Sequence, residues 1–240
     1  MANKLIIANW KAYEFQAVIP EVHFGSSSTT SNVIIAPSTP HLALLRAQFP
    51  DVTLAAQDVS AVADGYGAYT GEVPAAMLAD MGVKYAIIGH SERRSNGFDN
   101  NESVAAKVRN VLNVGITPII CVGETRAERE GGKYLEVVAS QISSLRLETG
   151  AEIIIAYEPV WSIGTGLIPS AEEILEMMDL IRSTLRIAGK VKLVYGGSVN
   201  AENAKDIVNI PGVDGVLIGK ASTDTVQFKE IIRQITMLRN

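Results

Sequence analysis

Short runs of apolar residues alternate along the chain with longer segments in which apolar residues recur at helical spacing. The short runs are apolar on both faces, which is typical of strands in a parallel sheet covered by helices. The predicted strands span residues 5–8, 33–36, 52–56, 85–88, 118–122, 153–157, 191–195 and 213–218. The predicted helices span residues 13–23, 39–48, 73–81, 101–113, 124–146, 171–187, 201–209 and 223–238.

The order of these elements limits the fold. Eight strand–helix units within 240 residues match a (β/α)8 barrel, in which an outer ring of helices surrounds eight parallel strands. A doubly wound open sheet has the same alternation, and periodicity alone does not separate the two folds. No change in composition divides the chain, so we predict one domain over residues 1–240.

The composition excludes several classes of protein. Apolar residues make up 47% of the chain, which is enough for a sizeable core and excludes disorder as the main state. The net charge is −5, so the chain lacks the basic balance of proteins that bind nucleic acid or anionic membranes. No apolar run reaches membrane-spanning length, and the run near the N-terminus is too short for a signal peptide. The single cysteine, Cys121, cannot form an internal disulfide, and these features together predict a cytoplasmic protein.

Several common motifs are absent. The glycines of residues 65–71 miss the dinucleotide-binding spacing by one residue, and there is no Walker loop or nucleophile elbow. His23 and His41 have no carboxylate or cysteine at ligand spacing, so we interpret them as surface or helix residues and predict no metal site. The charged run over residues 124–130 is most simply a solvated helix face.

Polar residues and glycines cluster directly after five of the predicted strands. The carboxyl ends of parallel strands meet at one edge of the sheet, where function is concentrated in α/β folds. The clusters cover residues 9–11, 89–94, 158–166, 196–199 and 219–222. We therefore expect their polar groups to converge on one rim.

Each of these residues also has a simple structural interpretation. Lys11 could be a surface lysine, His90 a hydrogen-bonded structural histidine, and Glu158 a residue that closes a strand. Gly196-Gly197 could be only a tight turn. A functional site is excluded only if all of these structural interpretations are correct at once.

Taken together, the clusters suit one kind of chemistry. A carboxylate without a metal or a nucleophile suits abstraction of a proton from carbon, and a neutral histidine and a lysine can stabilise an enediolate. Glycine turns with Ser198 present backbone N–H groups to an anion. Residues 159–167, with Gly164 and Gly166, have the composition of a closing lid. These features predict isomerisation of a small phosphorylated carbonyl compound.

Six sequence phrases resemble those of the triosephosphate isomerase family, in family order and over most of the chain. They are Asn9-Trp10-Lys11, Gly67-Ala68-Tyr69-Thr70-Gly71-Glu72, Gly89-His90-Ser91-Glu92-Arg93-Arg94, Ala156-Tyr157-Glu158-Pro159-Val160-Trp161, Ile163-Gly164-Thr165-Gly166 and Tyr195-Gly196-Gly197-Ser198-Val199. The resemblance implies a TIM barrel rather than an open sheet. It also implies interconversion of dihydroxyacetone phosphate and D-glyceraldehyde 3-phosphate, as in glycolysis and gluconeogenesis, with no cofactor.

The resemblance implies roles for residues at matching positions. Glu158 resembles the base that moves the proton between the two carbons, and His90 resembles the neutral electrophile on the substrate oxygens. Lys11 resembles the cation that faces the substrate and its phosphate, Asn9 its polar neighbour, and Glu92 the buried carboxylate beside the site. The residues that match the backbone phosphate cradle are Gly164, Ser198, Gly219 and Lys220.

A homodimer is also implied by the resemblance. In the family, the loop that here spans residues 58–69 inserts into the partner subunit, and the residue matching Thr70 reaches the partner's active site. No nucleic acid, membrane or metal partner is expected.

The chain departs from the family pattern at a few positions. Ala12 and Tyr13 stand where the family usually has Met-Asn, at the border of the expected dimer contact. In the lid, Ser162 replaces the usual alanine and Leu167 the usual lysine. Lys220 replaces the second glycine of a pair in the cradle, where any residue except proline supplies the N–H and a negative φ accommodates lysine with little strain.

Two other functions fit parts of the pattern. One is a phosphate-binding barrel isomerase for a longer sugar, against which the lid phrase after Glu158 argues. The other is a non-catalytic binding or scaffold protein that retains the fold, against which the intact Lys11, His90 and Glu158 argue.

Overall fold

The computed structural model describes residues 4–13, 32–62, 65–147, 150–185 and 189–237. Its parallel strands close into a barrel in chain order, and the pairing of β1 with β8 joins the two ends of the sheet. The strands are β1 (Leu5–Asn9), β2 (Val33–Ala36), β3 (Thr53–Ala56), β4 (Tyr85–Ile88), β5 (Thr117–Val122), β6 (Glu152–Tyr157), β7 (Lys190–Tyr195) and β8 (Gly215–Ile218). The closed barrel confirms the (β/α)8 fold and excludes the open sheet.

The helices of the described residues surround the barrel and connect its strands. They are α1 (Thr39–Gln48), α2 (Ala75–Asp80), α3 (Ser91–Ser95), α4 (Asn101–Asn113), α5 (Arg126–Glu130), α6 (Tyr134–Ser143), α7 (Ala171–Thr184), α8 (Ala204–Asn209) and α9 (Thr225–Met237). Two 3₁₀ turns, Val160–Ser162 and Lys220–Ser222, follow β6 and β8. Within the part of the chain that the structure describes, no helix is both long enough and apolar enough to cross a membrane.

Two hydrophobic clusters follow from the alternation of side chains along the strands. One fills the barrel with strand residues alone, among them Ile7, Ile87 and Leu217. The other lies between strands and helices and includes Ile6 from β1 and Phe228 from α9. Because successive side chains of a strand enter different clusters, both faces of the strand are buried, as the apolar runs predict.

The predicted strands and most of the predicted helices agree with the structure, and the short helix α3 was not predicted. Every predicted strand is present within two residues of its predicted bounds, and α1 and α4 have the predicted bounds. The single helix predicted over residues 124–146 is wrong, because α5 and α6 are separated at residues 131–133, where Gly132 has a φ of +71°. Residues 14–23 of the first predicted helix, including His23, lie outside the described residues.

The N-terminus of α4 offers a test of local stability. The Asn100 side chain accepts the N–H of Ser103 at 2.9 Å, and the Ser103 hydroxyl accepts the N–H of Asn100 at 2.9 Å. Because loss of such a cap costs about 1 kcal/mol, Asn100→Ala should lower the midpoint of urea unfolding. Asn113→Ala makes the same change at the exposed last residue of α4 and should alter stability by less than about 0.5 kcal/mol. Equal midpoints for Asn100→Ala and the parent protein would contradict this account of the cap.

Candidate active site

A cleft of about 790 Å³ lies at the carboxyl ends of the strands. Its lining includes most of the residues that the sequence analysis selected: Asn9, Lys11, His90, Glu158, Gly164, Ser198, Gly219 and Lys220. These residues follow five different strands of the barrel, and their convergence agrees with the expectation that polar groups meet at one rim. Glu92 contacts this group through Lys11. Thr70 is exposed and is not among the lining residues.

Glu158 is a buried carboxylate beside a histidine. Its Oε2 accepts the backbone N–H of Ser91 at 3.1 Å, and its Oε1 lies 3.3 Å from Nε2 of His90. Oε1 accepts no hydrogen bond from any residue that the structure describes, so its lone pairs are available to accept a proton. The backbone here is closely packed, because a Cβ on Gly123 would lie 1.8 Å from the Glu158 carbonyl oxygen and a Cβ on Gly196 would lie 2.9 Å from Glu158 Cγ.

A hydrogen bond to the His90 ring shows which of its two nitrogens can act as a donor in the cleft. Nδ1 accepts the backbone N–H of Glu92 at 3.2 Å, so Nδ1 carries no proton. In the neutral ring the proton is therefore on Nε2, the nitrogen nearest Glu158. The preceding residue, Gly89, fixes the position of His90. The φ of Gly89 is +73°, and a Cβ added to it would lie 2.8 Å from the Val104 side chain.

Lys11 occupies a strained backbone position with several supports. Its φ is +48°, a left-handed conformation that costs a lysine about 1–2 kcal/mol. Its N–H donates to Asn9 Oδ1 at 3.0 Å, and Gln57 Nε2 donates to its carbonyl at 2.9 Å. The side chain lies against Gly219, where an added Cβ would be 3.2 Å from Lys11 Cε. The backbone conformation of Lys11 and the absence of a side chain at Gly219 thus allow the lysine to lie across the carboxyl end of β8.

Glu92 differs from the prediction of a buried carboxylate. Its side chain is 54% exposed, because it lies in the first turn of the short helix α3 at the rim. Its Oε1 nevertheless accepts from Lys11 Nζ at 2.6 Å, and its Oε2 lies 3.6 Å from His90 Nδ1. Glu92 therefore pairs with the Lys11 ammonium and lies beside the His90 ring, on the solvent side of both.

The start of the lid is anchored on a buried carboxylate that the sequence analysis assigned to a solvated face. Glu124 is fully buried, because it turns inward before α5 begins. Its Oε1 accepts from Trp161 Nε1 at 2.8 Å and from the Tyr157 hydroxyl at 3.2 Å. Arg129 balances its charge from 3.2 Å. Burial, followed by the charge of Glu124, raises the pKa of Tyr157, so this hydroxyl remains a donor.

The residues of the expected phosphate cradle line the same cleft, after β6, β7 and β8. Lys220 begins a 3₁₀ turn, and among the described non-glycine residues only Lys11 and Arg146 have a positive φ. Lys220 therefore fits with the negative φ that the sequence analysis considered, and its side chain is exposed. The turn is fixed from below by Ser222, whose hydroxyl donates to the Gly219 carbonyl at 2.7 Å.

Gln57 and Glu124 are site residues that the sequence analysis did not select, and Ser91 lies in the selected cluster 89–94 but received no role. Gln57 follows β3 directly, and its amide also donates to the Ala36 carbonyl at 2.8 Å. Glu124 lies two residues after β5, and Ser91 opens α3 three residues after β4. Gln57 and Glu124 are polar residues within two residues of the ends of β3 and β5, so the pattern of polar residues at strand ends predicts them as well.

A second cleft of about 770 Å³ lies beside α4 and residues 144–147. Arg109, Arg146 and apolar side chains are among its lining residues. It contains no carboxylate–histidine pair, and it is not at the strand ends. The rim cleft is therefore the candidate active site.

The chain was compared with known proteins. The sequence model of the family "Triosephosphate isomerase" matches residues 4–235. A triosephosphate isomerase from Francisella tularensis subsp. mediasiatica is 45% identical over 97% of both chains. Triosephosphate isomerases from Francisella philomiragia and Orientia tsutsugamushi are 41% and 39% identical, over 97% of this chain and 97% and 98% of theirs. The similarity thus covers the barrel from its first strand to its last helix.

Proposed function

The chain belongs to the triosephosphate isomerase family, and we propose that Glu158, His90 and Lys11 carry out the family's reaction in the rim cleft. The reaction is an aldose–ketose isomerisation that interconverts dihydroxyacetone phosphate and D-glyceraldehyde 3-phosphate through an enediolate, in glycolysis and gluconeogenesis. The observation that carries the proposal is the approach of an unbonded Glu158 oxygen to within 3.3 Å of His90 Nε2 in this cleft. We also propose a cytoplasmic location, from the composition and the single cysteine.

Glu158 acts as the base. Its unbonded Oε1 takes a proton from the carbon next to the carbonyl group, and the pair of electrons left behind forms the enediolate. The same carboxyl group then returns the proton to the neighbouring carbon, while the hydroxyl proton moves from the oxygen of the first carbon to the oxygen of the second, so the product is neutral at both oxygens and the enzyme ends in its starting state. Burial, followed by the charge of Glu158, raises the pKa of the adjacent Cys121 thiol well above its usual range. The thiol therefore stays neutral and does not compete as a base.

His90 and Lys11 stabilise the negative charge that develops on the substrate oxygens. The Nε2–H of neutral His90 donates to these oxygens, and it costs no reorganisation because Nδ1 is already held by the Glu92 amide. The Lys11 ammonium adds a positive charge on the same side. Its ion pair with the exposed Glu92 fixes the ammonium while leaving that carboxylate solvated.

Backbone amides bind the phosphate. Gly164 in the lid, Ser198 after β7, and Gly219 with Lys220 after β8 line one side of the cleft, where N–H groups suit an anion. Closure of residues 159–167 over the bound phosphate excludes water. Exclusion of water suppresses loss of phosphate from the exposed enediolate, which is the main side reaction of such an intermediate.

Glu158→Gln tests the assignment of the base. The amide keeps the shape of the side chain but removes its basicity, so kcat should fall about 100-fold or more in a coupled assay of glyceraldehyde 3-phosphate formation. The melting temperature should stay close to that of the parent. Glu102→Gln, at an exposed carboxylate of α4, should leave kcat unchanged. A purified, folded Glu158→Gln protein with nearly parental kcat would exclude Glu158 as the base.

Lys220→Gly tests whether the backbone or the side chain of this residue binds phosphate. The backbone N–H remains in the variant and the lysine side chain is exposed, so kcat and KM should stay within about threefold of the parent values. Both proteins are assayed at low and high ionic strength. If KM rises more than about tenfold, and the parent KM itself increases with salt, the ammonium binds phosphate directly.

We propose that the protein is a homodimer whose contact centres on residues 58–70, of which residues 63 and 64 lie outside the described chain. Val62, Tyr66 and Tyr69 in this loop are 46%, 64% and 40% exposed, and such a patch requires a partner surface. The base of the loop is fixed, because Asp58 accepts from Arg93 at 2.8 Å and from Lys107 at 2.7 Å. The described part of the loop thus presents exposed apolar side chains next to a base that ion pairs hold in place.

Sedimentation velocity tests the dimer. The parent protein should sediment as a dimer, and Tyr66→Asp should shift it towards the monomer and lower its activity, because a carboxylate would be buried in the contact. Val226→Asp changes a 78% exposed apolar residue on α9 and should leave the sedimentation coefficient unchanged. A fully active parent monomer at assay concentration would refute this part of the proposal.

A further inference from the structure

Ser162 has a fully buried hydroxyl at the point where the lid begins. Its Oγ donates to the Leu167 carbonyl at 2.6 Å, which joins the two ends of the lid. The same Oγ lies 3.3 Å from the Tyr195 hydroxyl and 3.3 Å from the backbone nitrogen of Ser198. One side chain therefore connects the lid to the turn after β7.

The donors and acceptors around this hydroxyl can be assigned. A serine hydroxyl has one proton and two lone pairs. The proton is used by the Leu167 carbonyl, so Tyr195 and the Ser198 N–H both donate to Oγ and fill its lone pairs. Burial raises the pKa of Tyr195 to about 12, which keeps its phenol protonated for this role. Every hydrogen-bonding position of Ser162 Oγ is thus occupied.

The local backbone is built to admit this contact. A Cβ on Gly197 would lie 2.2 Å from the Tyr195 hydroxyl and 2.9 Å from Ser162 Oγ, so a side chain at this position would push the two hydroxyls apart. A second bond joins the same segments, because the Ser198 hydroxyl donates to the Ser162 carbonyl at 2.5 Å. The hydroxyl of Ser162 is the part of this arrangement that the usual alanine could not supply.

We propose that the Ser162 hydroxyl is a latch that holds the lid and the Ser198 N–H in the ligand-free arrangement, and that bound phosphate displaces it. The inference rests on the proposed function, in which the Ser198 N–H donates to the substrate phosphate. That N–H cannot donate fully to Ser162 and to phosphate at once, so binding of phosphate exchanges one acceptor for the other. Ser162 is therefore a positioning residue that sets the affinity of the cradle.

Ser162→Ala removes the competing acceptor and keeps the backbone. The dissociation constant for inorganic phosphate, measured by calorimetry, should fall about 3- to 10-fold, which corresponds to one net hydrogen bond. KM for the triose phosphate should fall by a similar factor, while kcat stays within about twofold, because the cradle contacts the phosphate equally in the ground and transition states. A merely structural role would lower the melting temperature without tightening phosphate binding.

Two variants complete the experiment. Ser144→Ala removes a serine hydroxyl outside the lid and the rim cleft, which donates to the Gln141 carbonyl at 2.7 Å, and its phosphate affinity should stay within about twofold of the parent. Ser162→Cys keeps the shape of the side chain but weakens its hydrogen bonds, so it should also tighten phosphate binding. This variant replaces Ser162→Ala in the experiment if Ser162→Ala does not fold.

The outcomes separate the latch from the proposed function. Unchanged or weaker phosphate binding by folded Ser162 variants, or equal tightening by Ser144→Ala, would overturn the latch. A parent protein that isomerises triose phosphate but does not bind inorganic phosphate in competition with it would overturn the latch as well. A parent protein that binds phosphate but does not isomerise would instead overturn the proposed function, since the calorimetric measurement needs no turnover.

Discussion

The arrangement of the site depends on a carboxylate that is removed from water and left incompletely bonded. Burial of an ionised carboxylate costs several kcal/mol unless hydrogen bonds or opposite charges offset it. Glu158 is buried, one of its oxygens accepts the Ser91 amide, and the other faces the His90 ring. The short helix α3 follows β4 at the angle that presents this amide, so the base, its amide partner and the histidine depend on the register of β4 and β6 in the closed barrel.

On the positive side of the site, hydrogen bonds rather than burial hold Lys11 in its strained backbone conformation. The left-handed backbone of Lys11 is unfavourable, and the Gln57 amide, which joins the Lys11 and Ala36 carbonyls, offsets that cost across two strand ends. Glu92 pairs with the ammonium from the solvent side, where a carboxylate loses little hydration. The charges of the site are thus divided between a dry half at β4 and β6 and a wetter half at β1.

The fold and the main site residues could be predicted from the sequence because both follow from local rules. Apolar runs gave the strands to within two residues, and polar clusters after those strands gave Lys11, His90 and Glu158. Burial could not be predicted in the same way. Glu92 and Glu124 are both acidic residues near strand ends, yet one is exposed and the other fully buried, and the difference depends on the direction of the chain after β4 and β5.

The contacts of the lid could not be predicted from the sequence either, and they restrict how the lid can move. Ser162 stands out in sequence only as a replacement for alanine, because its partners on β7 lie more than 30 residues away. The adjacent Trp161 is tied to the buried Glu124, so two successive residues are fixed to different parts of the barrel. In the proposed latch, phosphate displaces the Ser162 contact with Ser198 but not the Trp161 contact with Glu124, so the lid moves after residue 161, in the segment where Gly164 and Gly166 already have positive φ values. The base at Glu158 and the start of the lid can then remain rigid while the phosphate-binding tip moves. The carboxylate therefore stays in place although the site must open to solvent in every cycle.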